Sequence, residues 1–184
     1  MISRIIALVL LVTLFPLFIT ISLLILVFDG YPIIYVQKNY GINNKIFNLY
    51  KFRTMKHNTP EIPTEEFSNA NNYISKLGKI LRNFSIDELP QFFNILKGDM
   101  HFIGPRPCMV NNEEIVRDMR THKGVHKIKP GITGLAQVNG RDNNSFEKKV
   151  ELDYLYMKNA SFILDMKIVF KTFFVILFSR NIKH

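Results

Sequence analysis

The sequence predicts an α+β fold in which a membrane-embedded N-terminal helix precedes a short β-hairpin and a mainly helical domain. No charged residue occurs in the 24 positions from Ile5 to Phe28. Two β-branched and aromatic runs, Ile33–Lys38 and Ile46–Phe52, flank the turn-forming stretch Gly41–Asn44, as expected for a hairpin. Later in the chain, apolar residues recur at helical spacing. We therefore divide the chain into a membrane-embedded segment, residues 1–30, and a domain of residues 31–184.

The N-terminal apolar segment is long enough to cross a bilayer. As a helix it would measure roughly 36 Å, against about 30 Å for a hydrocarbon core. Pro16 lies near its middle and would either kink an ordinary single span or end the first half of a helix that returns to the same face. Composition alone does not distinguish these two structures. Lys38, Lys45 and Lys51 follow the segment closely, so the positive-inside rule predicts a cytoplasmic domain.

Composition narrows the class of partner. Lysine and arginine outnumber aspartate and glutamate by 24 to 15, which favours an anionic partner such as a phosphate, nucleotide, nucleic acid or lipid headgroup. The single cysteine, Cys108, excludes an intramolecular disulfide. The five histidines are scattered and no zinc spacing is present, which argues against a transition-metal site.

The remaining helices are predicted from amphipathic patterns and capping residues. Tyr73–Phe84 is a short basic amphipathic helix that either lies on a membrane or covers a core. Glu113–Lys123 has acids first and bases last, with Gly124 after it. Asn144 and Glu147 predict a cap for a helix that runs to Asn159. Phe162–Phe178 is apolar but interrupted by charges, so we expect an interfacial or packed helix there.

The segments between these elements are predicted to be loops. The polar stretch His57–Asn72 is predicted to be a loop or a mobile lid. The glycine-rich stretch Lys127–Arg141 lacks the spacing of a P-loop, so we predict only a loop that favours anions. In Lys51-Phe52-Arg53 the two cations alternate with an apolar residue, so both would face the same side of a strand. They would form either a solvated edge or a phosphate-facing pair.

The stretch from Ser85 to Pro107 contains the main candidate functional residues. Ser85 and Glu88 match a helix capping box. Pro90, at the fifth helical position, weakens this interpretation only slightly and would also suit a helix that begins at Pro90 and ends near Gly98. Either way Asp87 and Glu88 lie near a helix N-terminus, and as neighbours they do not share one helix face. We therefore expect different roles for the two acids, such as nucleophile for one and metal ligand for the other.

An arginine follows this acidic pair between two prolines. In Gly104–Pro107 the prolines restrict the backbone on both sides of Arg106, so the guanidinium is either aimed in advance at a phosphate or simply solvated on a surface turn.

Several motifs in register resemble one family. The resemblance covers nearly the whole chain and rests on Lys51–Met55, Leu81-Arg82, Ser85–Gln91, Gly98–Met100, Gly104–Pro107 and Pro130–Gln137. Their order and spacing are similar to those of the bacterial sugar transferases, the small monotopic polyprenyl-phosphate phosphoglycosyl transferases. The resemblance implies a re-entrant membrane helix broken near Phe15-Pro16. It further implies a cytoplasmic catalytic domain with interfacial helices at the bacterial inner membrane.

The resemblance also implies a reaction. A sugar 1-phosphate passes from a UDP-sugar to undecaprenyl phosphate, with Asp87 as nucleophile and Mg²⁺ held by Glu88 together with Asp87. The expected phosphate-binding residues are Arg106, Arg82, Lys51 and Arg53, while Asp99, Asp153 and Asp165 are lesser candidates with structural roles.

The expected partners are the two substrates and membrane lipids, with no nucleic acid. The sequence allows a homodimer without indicating one. The alternative is a catalytically silent, membrane-anchored scaffold that binds anions.

Overall fold

The computed structural model describes residues 1–56, 59, 73–110, 112–140 and 144–178. The helices are α1 Ile2–Thr13, α2 Phe15–Phe28, α3 Lys76–Asn83, α4 Gln91–Lys97, α5 Glu114–His122, α6 Leu135–Val138, α7 Phe146–Asn159 and α8 Phe162–Phe178. The strands are β1 Ile34–Tyr40, β2 Ile46–Phe52, β3 His101–Ile103, β4 Cys108–Met109 and β5 Gly131–Thr133. This mixture of helices and strands confirms the predicted α+β class.

The hairpin predicted from the sequence is confirmed. β1 and β2 pair antiparallel from Ile34 opposite Phe52 to Tyr40 opposite Ile46. Asn43 and Asn44 take positive φ in the turn, which asparagine tolerates better than most residues. β4 extends this sheet on the other side of β1, so that the chain just after Pro107 is fixed beside the hairpin.

A second, two-stranded sheet joins β3 to β5 in parallel. Glycine allows the backbones to approach closely next to this pairing. A Cβ on Gly131 would lie 2.2 Å from the Gly104 nitrogen, and a Cβ on Gly134 would lie 2.1 Å from the Gly104 oxygen. The glycine-rich stretch that was predicted to be a loop favouring anions therefore contains β5 and α6, and it packs against Gly104. Its last residue, Arg141, lies outside the described part of the chain, as does His57–Asn72 apart from Thr59.

The N-terminal apolar segment is two helices rather than one. α1 ends at Thr13 and α2 begins at Phe15, next to the predicted break at Phe15-Pro16, with the proline in the first turn of α2. No single helix in the described ranges has the length and apolar composition for a membrane span. The α1–α2 pair, bent by 62°, meets that criterion only when its halves are taken together.

Both N-terminal helices pack on the domain through one face each. Ala7 of α1 is buried with Leu49, Ile95 and Met100. On α2, Ile21 and Ile25 are buried with Phe52 and Leu81. Most other apolar side chains of the two helices are exposed, among them Ile5, Val12, Leu23 and Phe28. The pair therefore presents a broad apolar surface on the side away from the domain.

The predicted helices of the domain form, with shifts at their ends. Ser75 caps α3 by accepting a hydrogen bond from the Gly78 backbone. Ser145 caps α7 by accepting from the Lys148 backbone, one residue after the predicted cap Asn144. The Phe162–Phe178 helix has the predicted bounds. It packs against α6 and β5 and leaves Phe162, Phe170 and Phe173 exposed.

Candidate active site

The acidic pair lies on a single turn of 3-10 helix, Ile86–Glu88, between α3 and α4. The predicted capping box is wrong, because the Ser85 side chain makes no capping bond and its backbone is left-handed, with φ of 53°. The alternative prediction, a helix beginning at Pro90, is confirmed: Pro90 precedes α4, and Gly98 ends α4 with φ of 93°. The sharp turn after α3 brings the acidic pair back towards β2.

Glu88 lies between two cations. Its side chain is buried, and its Oε1 is 3.2 Å from Nη1 of Arg106 and 3.8 Å from Nζ of Lys51. Lys51 comes from β2 and Arg106 from the loop before β4, so three separate segments of the chain meet at this carboxylate. Charge-assisted contacts of this kind are stronger than neutral hydrogen bonds and fix the carboxylate in place.

The negative charge of Asp87 is less well compensated by nearby cations than that of Glu88, which has two ion pairs. Burial raises the pKa of Asp87 to about 6, and the Glu88 carboxylate adds to the rise, while Lys51, Arg82 and Arg106 oppose it. The carboxylate is therefore ionised at neutral pH but is held less favourably than an exposed aspartate. An anion that is poorly stabilised in its resting state is suited to attack an electrophile.

The third cation, Arg82, is positioned by a residue that sequence reasoning did not single out. Its Nε donates a hydrogen bond of 2.9 Å to Oγ1 of Thr54. Burial lowers the pKa of Arg82, and burial likewise lowers the pKa of Lys51, with Arg106 adding to both shifts. Three positive charges held this close together would be stabilised by an added anion. Thr54 was detectable only as part of the motif Lys51–Met55, not from its own chemistry.

Arg53 is the one predicted phosphate-binding residue that the structure places elsewhere. Its side chain is buried, and its Nη2 donates to the backbone oxygens of Asp29 and Gly30 at the end of α2. β2 ends at Phe52, before Arg53, so the regular alternation that would put Lys51 and Arg53 on one face does not extend to Arg53. We therefore correct the prediction: Arg53 holds the end of the N-terminal helix pair against the domain.

The lesser candidates have structural partners. Asp99 accepts a hydrogen bond from Asn94, and Asp165 accepts one from Tyr156. Asp153 forms a buried ion pair with Arg120. Burial raises the pKa of the Cys108 thiol to about 11, so Cys108 is protonated at neutral pH and is not a competing nucleophile.

The site offers few metal ligands. Among the residues that the structure describes, no group of three or more histidine, cysteine, aspartate or glutamate side chains is placed to hold a metal ion. Two adjacent carboxylates, Asp87 and Glu88, are the available oxygen ligands. That donor set fits Mg²⁺, which commonly binds one or two carboxylates together with the phosphates of a substrate, and it does not fit zinc.

An acidic pair among three cations is suited to chemistry on phosphate groups, because the cations would offset the negative charge of the phosphate oxygens. The chain belongs to the bacterial sugar transferase family, whose model matches residues 1–179. This finding confirms the resemblance inferred from the motifs.

Three relatives illustrate the similarity. An uncharacterized sugar transferase of Bacillus subtilis (strain 168) is 41% identical over 160 residues, which are 84% of this chain and 74% of that protein. The UDP-glucose:undecaprenyl-phosphate glucose-1-phosphate transferase of Klebsiella pneumoniae is 41% identical over 149 residues, or 78% of this chain. The UDP-N-acetylgalactosamine-undecaprenyl-phosphate N-acetylgalactosaminephosphotransferase of Aeromonas hydrophila is 38% identical over 166 residues, or 88% of this chain.

These relatives differ in length from the chain. The matched region is 74% of the Bacillus protein, but it is only 32% of the Klebsiella protein and 39% of the Aeromonas protein. The chain thus corresponds to less than half of each of these two longer transferases.

Proposed function

We propose that this protein transfers a sugar 1-phosphate from a UDP-sugar to undecaprenyl phosphate, as the first membrane step in making a bacterial glycan. The observation that carries this proposal is Asp87, with its raised pKa, beside Glu88 and three cations. Membership of the bacterial sugar transferase family and the activities for which the two longer relatives are named support it.

Asp87 acts as the nucleophile in the first step. One of its carboxylate oxygens forms a bond to the sugar-side phosphorus of the donor. The bond from that phosphorus to the bridging oxygen breaks, and UMP leaves with the electron pair. The product is a phosphosugar ester of Asp87, a covalent intermediate of the kind found in nucleophilic catalysis.

The lipid phosphate completes the reaction in the second step. An oxygen of undecaprenyl phosphate attacks the phosphorus of the ester, and Asp87 leaves again as a carboxylate. No water takes part, and the protein returns to its starting state. Splitting the transfer in this way lets a water-soluble donor and a membrane-embedded acceptor use the same aspartate in turn.

The three cations allow an anion to approach an anion. Lys51, Arg82 and Arg106 surround the acidic pair and would offset the negative charge that accumulates on the phosphate oxygens. Arg106 is the best placed to contact the donor directly, because its side chain is 46% exposed whereas that of Lys51 is 18% exposed.

Glu88, together with Asp87, would hold Mg²⁺. When bound, the metal supplies a positive charge that polarises the diphosphate and stabilises the leaving phosphate. Glu88 contacts Lys51 and Arg106, so these two side chains orient its carboxylate.

The exposed apolar surface of the α1–α2 pair supports attachment to a membrane. We infer a re-entrant pair that enters and leaves the cytoplasmic face of the bacterial inner membrane, with the catalytic domain on that face. The exposed phenylalanines of α8 would add to the contact with lipid. This arrangement would bring the acceptor phosphate to the level of the active site.

The test is the release of UMP from a panel of UDP-sugars. The protein is held in bilayer nanodiscs, with and without undecaprenyl phosphate and with Mg²⁺ or EDTA. We expect release with one donor or a few, dependent on Mg²⁺ and on Asp87. No release across a broad panel by folded protein would contradict the proposal and favour the silent anion-binding scaffold.

A further inference from the structure

The loop that carries Arg106 is fixed through its backbone oxygens. Gly104–Pro107 forms neither helix nor strand, so its carbonyl groups need partners from elsewhere in the fold. The Pro105 oxygen accepts a bond of 2.9 Å from the Gly131 nitrogen. The Pro107 oxygen accepts a bond of 3.1 Å from Nδ2 of Asn39.

The oxygen of Arg106 itself is held by a charged group. Nη1 of Arg120, on α5, donates to it at 2.6 Å. The same guanidinium is clamped from behind by Asp153 on α7, whose Oδ2 accepts from Nη2 at 2.6 Å and from Nε at 3.0 Å. The Asp153 side chain is 1% exposed and that of Arg120 is 11% exposed. A planar guanidinium held at two of its nitrogens leaves the third aimed in one direction.

Stability alone does not account for this buried pair. A buried ion pair contributes little more, and often less, than apolar residues of the same volume. A second pair, Lys123 with Glu151, already joins α5 to α7 at the surface. Arg120 differs from Lys123 in being nearly buried and in its Nη1, which donates to the Arg106 oxygen and, at 2.7 Å, to Sγ of Cys108.

We propose that Arg120, clamped by Asp153, is a positioning residue that aims Arg106 at the phosphates of the nucleotide donor. This inference rests on the proposed function. The connection runs from Asp153 through Arg120 to the Arg106 backbone, and from the Arg106 guanidinium to Glu88 at 3.2 Å. Because the Arg106 side chain is about half exposed, the position of its backbone determines where the guanidinium lies.

The experiment replaces the pair without leaving a buried charge. The double variant Arg120→Met with Asp153→Leu keeps the volume and removes the donor to Arg106. Apolar replacements of this kind commonly preserve a fold. UDP is the probe, and its dissociation constant is measured by calorimetry on protein in nanodiscs with Mg²⁺. The same pair of substitutions is then made in an Arg106→Ala protein.

We expect the apolar double variant to bind UDP about 5- to 20-fold more weakly, the size of a lost or misaligned charge-assisted contact. In the Arg106→Ala background the same substitutions should change the affinity by less than about twofold, because the residue that they position is absent. The matched control is Glu151→Gln, which breaks the other α5–α7 ion pair and should leave UDP affinity unchanged.

Two results would overturn the inference. An apolar double variant that melts like the wild type and binds UDP equally well would show a purely structural pair. Equal losses with and without Arg106 would show that Arg120 acts by another route. If the apolar variant does not fold, Arg120→Lys replaces it in the same cycle with the same expected outcomes. Failure of the wild-type protein itself to bind UDP would instead overturn the proposed function, and this inference with it.

Discussion

The surroundings of Asp87 oppose its negative charge, chiefly because the carboxylate is buried and lies beside Glu88. Its folded pKa of about 6 lies above the ordinary value of 3.8. Between about pH 4 and pH 6 the folded protein therefore binds more protons than the unfolded chain, and stability falls as pH rises through that window. Above pH 6 the ionised carboxylate destabilises the fold, by at most about 3 kcal/mol for a shift of this size.

Replacing Asp87 with asparagine should therefore separate activity from stability. We expect Asp87→Asn to reduce UMP release by about a thousandfold or more, as for the loss of a nucleophile. We expect its melting temperature at pH 7.5 to equal or exceed that of the wild type. The measurements are UMP release and thermal unfolding in the same nanodiscs. Asp99→Asn is the control, because Asp99 contacts Asn94 rather than the site cations. A large residual activity in Asp87→Asn would identify another nucleophile.

The pH dependence of the reaction should report the same aspartate. The nucleophile must be ionised, so kcat/KM should fall about tenfold per pH unit below a pKa near 6 and level off above it. Arg106 lowers the pKa of Asp87, so Arg106→Gln should move this limb to higher pH. Initial rates from pH 5 to pH 8 at constant ionic strength test both statements. A profile that is flat between pH 5 and pH 7 would contradict them.

Local sequence signals were sufficient for the regular elements and insufficient for the turns between them. The β1–β2 hairpin, the start of α4 after Pro90 and the full length of α8 follow from periodicity and turn residues that act over a few positions. The left-handed Ser85 does not, because its conformation is set by the packing of α3 and α4 rather than by its own preference. The sequence therefore suggested a common cap where the fold has a sharp turn.

Arg53 shows that a strand can be predicted correctly while the contacts of the residue after it are not. The strand was predicted, but Arg53, the residue that follows it, donates to the end of α2, which no local pattern reveals. Arg53→Met should lower the melting temperature by several degrees, because the oxygens of Asp29 and Gly30 lose a charged donor at a helix C-terminus. Its UDP affinity should remain within about twofold of the wild type. Calorimetry on the folded variant measures this affinity. A tenfold loss would show that Arg53 binds phosphate, as the sequence predicted.

The bent helix pair makes a prediction about topology. If α1–α2 is re-entrant, a cysteine at Ile2→Cys lies on the cytoplasmic side. A membrane-impermeant maleimide should then label it in lysed spheroplasts but not in intact ones. Native Cys108 should not interfere, because it is buried and its pKa is raised to about 11. Lys158→Cys on α7 provides the reference for the domain side. Labelling of the Ile2→Cys protein in intact spheroplasts would show that α1–α2 spans the membrane.

At the scale of the whole molecule, the acids and cations of the site come from three segments of the chain, which are β2, residues 82–88 and the loop before β4. Family motifs named Asp87, Glu88, Lys51, Arg82 and Arg106, which the fold brings together. They were not sufficient to find what holds these residues. Thr54 behind Arg82 and Arg120 behind Arg106 carry no signal of their own, because each is a common residue whose role exists only once the helices and strands have packed.

The proposed mechanism depends on a covalent bond at Asp87, and intact-protein mass spectrometry tests that bond most directly. The protein is mixed with Mg²⁺ and the UDP-sugar that gives the fastest UMP release, without undecaprenyl phosphate, and is quenched within seconds. We expect a mass increase equal to one sugar phosphate, located by fragmentation on Asp87 and absent in Asp87→Asn. Adding undecaprenyl phosphate before the quench should remove the adduct. UMP release that requires both substrates together, with no adduct at any time, would contradict the two-step mechanism.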